Sequence, residues 1–146
     1  YAFGVGGSPF TPFATPSEFT EEQLMAWMEQ GHAEALQLAD ADRASAGTRE
    51  TPPCLVLVAH APPQATACDR LHSGVPVGSP AVREFIEKHQ PALCLCGHIH
   101  ESRAEDRIGK TRILNPGTLG AGGYVLLRLV KDKGMSSLSA ELKILP

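Results

Sequence analysis

The chain has 146 residues, 42% of them apolar and 20% charged, with a net charge of −3. That is one domain's worth of sequence with enough apolar content for a core, which excludes a disordered chain. The charge balance leaves no basic footprint for nucleic acid or an anionic membrane, and no apolar run approaches the ~20 residues of a membrane-spanning helix.

The four cysteines, Cys54, Cys68, Cys94 and Cys96, show no paired zinc-finger spacing. They read as reduced thiols of a cytoplasmic protein. Cys94 and Cys96, two apart on a strand, share a face.

Residues 1–7 read as a short strand running into glycines. Ser8 to Ser17 carries Pro9, Pro12 and Pro16, which excludes a helix interior or a central strand. It is expected to be an ordered loop or flap, pinned by Phe10 and Phe13. Thr20 then opens a helix, with Gln23 completing a capping box and Phe19 and Leu24 placed for a hydrophobic staple. Glu21 and Glu22 suit its positive end. Leu24, Trp27, Met28, Gly31, Ala35 and Leu38 recur at helical spacing, so this stripe is expected in the core, with His32 off it on the surface. The helix should end near Ala44, and Thr48 to Pro53 should connect onward.

Cys54 to Ala59 is a nearly continuous apolar run, the pattern of a strand covered on both faces. It ends at His60, and the stretch from there to Gly78 is long enough to carry function. It contains Asp69, Arg70, His72 and Ser73. Ser79 caps a second helix with Pro80 at its first position. Val82, Phe85 and Ile86 form that helix's apolar face. His89 lies near its end, where a cation suits the helix dipole. Leu93 to Cys96 is a second buried strand, delivering the turn Gly97-His98-Ile99-His100.

Residues 104–110 read as a polar turn around Gly109. Thr111 to Leu114 is a short strand stopping at Asn115-Pro116-Gly117, followed by a glycine turn at 120–123. A strand at Tyr124–Val130, a turn at 131–134 and a strand at Leu138–Leu145 complete the chain. This order predicts a layered α/β domain whose C-terminal part is an antiparallel sheet.

His60 and the pair His98/His100 each follow the carboxyl end of a predicted strand. A helix joins the two strands, so they should be parallel and close. Ligand sites of open α/β sheets lie at that edge, and imidazole binds zinc, iron and manganese. The three histidines are therefore the candidate metal ligands. Two-metal hydrolysis also needs bridging carboxylates, and none of Asp40, Asp42, Asp69, Asp106 or Asp132 directly follows a buried strand. A mononuclear three-histidine zinc hydrolase would use the same residues.

Val58-Ala59-His60-Ala61-Pro62-Pro63 and Gly97-His98-Ile99-His100, followed by Asn115-Pro116-Gly117, resemble motifs of the calcineurin-like metallophosphoesterases. The order of Gly78-Ser79, helix, strand and Gly-His-Ile-His-Glu is similar to that of the small prokaryotic members. The likeness extends to Gly6-Gly7-Ser8 and Thr11-Pro12-Phe13. It implies a layered α/β/β/α sandwich of two mixed sheets, of which residues 1–146 form the C-terminal portion without the N-terminal half. It implies two divalent ions of the manganese, iron or zinc class, with His60 and His98 on the second and His100 on the first. Nothing in the chain matches the family's Asp-x-His, Gly-Asp or Gly-Asn-His motifs, or its catalytic histidine. The implied reaction is in-line attack by an activated hydroxide on a small phosphomonoester or phosphodiester, without membrane or specific nucleic acid as partner. The alternative is a non-catalytic truncated or degenerate member serving as a binding or structural module. The flap and the loop Gln64–Gly78 are expected to shape substrate choice.

Overall fold

A computed structural model of the chain describes residues 1–47, 52–132 and 135–146. Its elements are β1 (Ala2–Val5), α1 (Glu21–Ala46), β2 (Val56–Ala59), α2 (Pro80–His89), β3 (Leu93–Leu95), β4 (Ala104–Ile108), β5 (Thr111–Asn115), β6 (Gly123–Asp132) and β7 (Met135–Ile144). One sheet runs β1-β2-β3-β5-β4; β6 and β7 form a separate antiparallel pair. β1, β2, β3 and β5 are mutually parallel, with β4 antiparallel at the edge. This is a mixed α/β fold with a second sheet, as expected. Residues 48–51 of the expected connector and 133–134 of the expected turn lie outside the described residues, whereas β6 itself continues through Lys131 and Asp132.

The helix ends follow local chemistry. Thr20 accepts from the Gln23 amide and the Gln23 side chain accepts from the Thr20 amide, which completes the capping box. Ser79 Oγ accepts from the Val82 amide at 3.1 Å and donates to Glu21 Oε2 at 2.5 Å, so one serine caps α2 and ties it to α1. No helix among the described residues is long and apolar enough to cross a membrane.

Strand alternation divides the side chains between two faces. Leu57, Ala59, Cys94, Cys96 and Ile113 join Leu24, Met28, Phe85 and Ile86 in the core beneath the helices. Burying a side chain such as Leu57 or Phe85 stabilises by roughly 1.5–3 kcal/mol. Val56, Leu93 and Leu114 face the other way, onto Leu95, Val125, Leu138 and Leu142. That cover is incomplete, because Val58 is 46% exposed. The enclosure expected on both faces of β2 thus holds at Val56 and fails at Val58.

Three further expectations are corrected. Residues 104–108 are an edge strand, with Glu105 and Arg107 outward and Glu105 paired to Arg112 at 2.8 Å, and the turn expected around Gly109 is confined to residues 109 and 110. On α1, Trp27 and Leu38 are exposed while His32 is buried. His32 lies against Phe3 and Phe85, at ring-centroid distances of 5.5 and 5.6 Å, and burial pulls its pKa down. Finally, Phe10 and Phe13 are exposed and do not pin the flap. Glu18 does so, accepting from the amides of Thr11 and Thr15 and from both their hydroxyls. Gly7 enters that flap at φ 83°, where a Cβ would lie 2.6 Å from the Phe19 ring.

Candidate metal centre

β2 and β3 are adjacent and parallel, so their carboxyl ends deliver His60 and the 97–100 turn to one edge. The two segments are joined by backbone. The His60 amide donates to Val5 O at 3.1 Å, and its carbonyl accepts from the Gly97 amide at 3.0 Å. At their tips His60 Nε2 stands 3.1 Å from His98 Nδ1.

His98 has φ 63°, the left-handed region. A non-glycine residue there costs on the order of 1–3 kcal/mol, and such strain is retained where surrounding structure enforces it. Asn115 provides that enforcement. Fully buried at the end of β5, its amide nitrogen donates to Ile99 O at 3.0 Å, Cys68 O at 3.1 Å and Gly97 O at 3.4 Å. Its side-chain oxygen accepts from the Gly117 amide at 2.9 Å. One side chain thus clamps the histidine turn to the 60–78 loop. From the sequence, Asn115 reads only as part of a turn. An asparagine closing a buried strand, directly before Pro-Gly, is the available signal.

The long loop is held by a second buried polar group. Asp69, fully buried, accepts from the amides of Ala65, Thr66 and Gly78. Its carboxylate is committed to the backbone. Arg70 N donates to Ser102 Oγ, which donates to Ala67 O, fastening the loop beside the turn. His72 is exposed.

Burial lowers the pKa of His98, reinforced by His60 and His100 and opposed by Glu18. The imidazole is therefore held neutral, the ligand form. Two ring nitrogens 3.1 Å apart suit two ligands on one ion, for which bonds of about 2.0–2.1 Å place donors about 3 Å apart. The donor set fits a divalent transition metal in part. His100 follows on the exposed side of the turn, close enough to influence His98 electrostatically. Among the described residues, three donor groups whose ligand atoms lie within 4.8 Å of one another occur elsewhere, at Glu29, His32 and His89. The cysteines are free; Cys68, Cys94 and Cys96 are buried. The Cys68 thiol is driven up by its contact with Cys96 and by burial, so it is protonated and unreactive.

A family model described as metallophosphoesterase, calcineurin superfamily, matches residues 47–135. The uncharacterized protein MJ1162 of Methanocaldococcus jannaschii is 37% identical over 117 residues, which span 77% of this chain and 46% of that protein. The crystal structure of TT1561 of Thermus thermophilus superposes with TM-score 0.51 at 17% identity, covering 98% of this chain and 52% of that one. A further crystal structure gives TM-score 0.54 at 18% identity, covering 98% and 47%. At those identities the solved structures speak to the fold. The chain spans about half the length of the relatives it matches.

Proposed function

The chain belongs to the metallophosphoesterases of the calcineurin superfamily, and from that membership we propose that it contributes to metal-dependent hydrolysis of a small phosphate ester. The observation that carries the reading is the pair His60 and His98, brought to 3.1 Å at the carboxyl ends of neighbouring parallel strands. His60 and His98 would hold one divalent ion of the manganese, iron or zinc class, and His100 would face a second. Such ions lower the pKa of water and stabilise charge developing on the phosphate. This chain's own residues orient and hold. Asn115 fixes the histidine turn, Asp69 fixes the loop beside it, and Glu18 closes the flap. The remaining ligands and the proton-transferring group would come from outside these residues, which then form the C-terminal portion of one domain. Free cysteines support a reducing, cytoplasmic location.

The test is hydrolysis of bis(p-nitrophenyl) phosphate and p-nitrophenyl phosphate by the full-length protein with manganese. Loss of the His98 ligand in His98→Ala should lower the rate by more than the roughly 10–100-fold expected for an outer partner. Unchanged hydrolysis would remove His98 from the site. A preference between the two esters decides phosphodiester against phosphomonoester.

A second reading, a non-catalytic binding module, rests on one observation: the three-donor cluster among the described residues that includes a carboxylate is not at this edge. Metal uptake without hydrolysis of either ester would favour it.

A further inference from the structure

We propose that Glu29, His32 and His89 form a separate site for a zinc-class ion, clamping α1 to α2. One ligand atom from each lies within 4.8 Å of the others. Glu29 and His32, three apart, share a face of α1. His89 is the last residue of α2. It precedes β3 whereas His98 follows it, so this site and the strand-end pair lie at opposite ends of that strand.

The frame is already built. His32 and His89 have ring centroids 4.2 Å apart. Phe85 packs 5.6 Å from the first ring and 4.6 Å from the second. His89 Nε2 lies 2.9 Å from Glu29 Oε1 and 3.0 Å from Oε2. His32 is only 9% exposed. A cation shared by both imidazoles and the carboxylate would bind at the meeting point of these three side chains. Drawing three donors from within 4.8 Å to about 3 Å apart needs only small side-chain rotations. Two imidazoles and one carboxylate suit zinc and its neighbours; calcium and magnesium prefer all-oxygen sets.

One group competes. Lys88 Nζ lies 2.8 Å from Glu29 Oε1. Its side chain is 61% exposed, and such surface pairs are weak, so it can swing into water when an ion arrives.

The test is zinc binding by the full-length protein, read as bound zinc after dialysis and as a zinc-dependent rise in melting temperature. The visible spectrum of the cobalt-substituted protein gives a third readout. His98→Ala removes one strand-end ligand but leaves any ion facing His100, so the helix-side ion is read in that background as the one zinc equivalent, with its thermal shift, that a helix-side substitution removes. Glu29→Gln and His89→Gln in that background should each weaken binding by more than the roughly 10–100-fold cost of an outer partner. Lys88→Gln should tighten it. Circular dichroism without metal checks folding; if His89→Gln unfolds, the half-exposed Glu29→Gln decides. Zinc uptake that survives Glu29→Gln undiminished, or no uptake by His98→Ala protein, overturns the proposal.

Discussion

At one end of β3 two imidazoles stand on loops; at the other, two imidazoles and a carboxylate stand on helices. The strand-end pair is posed by backbone. His60 O is bonded to Gly97, His98 is in the left-handed region, and Asn115 holds the turn. The helix-side group is posed by packing, with Phe3 and Phe85 against His32 and Phe85 against His89. Backbone-posed ligands at a sheet edge remain open to further ligands and substrate. Packing-posed donors between helices tie two elements together and suit stabilisation. The contrast separates a chemical role from a structural one by how each ring is held, not by which residue it is.

Phe85→Ala should break the helix-side arrangement most severely. Removing a fully buried phenyl costs about 3–5 kcal/mol. Chemical denaturation should show that loss, while the spacing of the strand-end pair should survive in whatever fraction stays folded. A loss below about 1 kcal/mol would mean that packing does not hold His32 and His89.

Asn115→Ala is the corresponding test at the strand end. It leaves buried carbonyls of Cys68 and Ile99 without their donor, at a cost of roughly 1–3 kcal/mol. It should also weaken metal binding at His98 without touching a ligand. Stability loss with unchanged metal affinity would make Asn115 a structural residue only.

His98→Gly should move stability the other way. Left-handed strain of about 1–2 kcal/mol is relieved, offset by about 0.5–1 kcal/mol of added chain entropy. The net expectation is a small gain in stability, seen as a higher denaturation midpoint, together with lost metal binding. A clear loss of stability would show that the ring contributes packing, as at the other end of β3.

The smallest effect is an acid response of the flap. Hydrogen bonds from Thr11 and Thr15 lower the Glu18 pKa to about 2 from its ordinary 4.5. The folded state thus favours the carboxylate. Its contribution is complete above about 4.5 and is lost as pH falls through about 2. Amide NMR signals of Thr11 and Thr15 should shift across that window, and Glu18→Gln should remove the response. Flat signals would detach Glu18 from flap order.

What could be read from the chain was local. Both N-caps, the two strand ends with their histidines and the parallel pairing follow from neighbours in sequence. The corrections have one physical source: faces are chosen by distant partners. Nothing near Val58 says that it is left exposed. His32 interrupts an apolar stripe, yet Phe3 and Phe85 arrive from elsewhere to bury it. Glu105, Asp106 and Arg107 look like a turn until Arg112 of β5 pairs with Glu105. Asn115 could be noticed, but its clamp needs carbonyls from two remote loops.

The proposed strand-end site requires that His60 and His98 share an ion. Manganese titration of the full-length protein, followed by paramagnetic broadening of the histidine ring NMR signals, tests it directly. The His60 and His98 signals should vanish together at the lowest manganese, while those of His32 and His89 persist. Persistence of either strand-end signal after the other is lost, or earlier loss at His32 and His89, would contradict it.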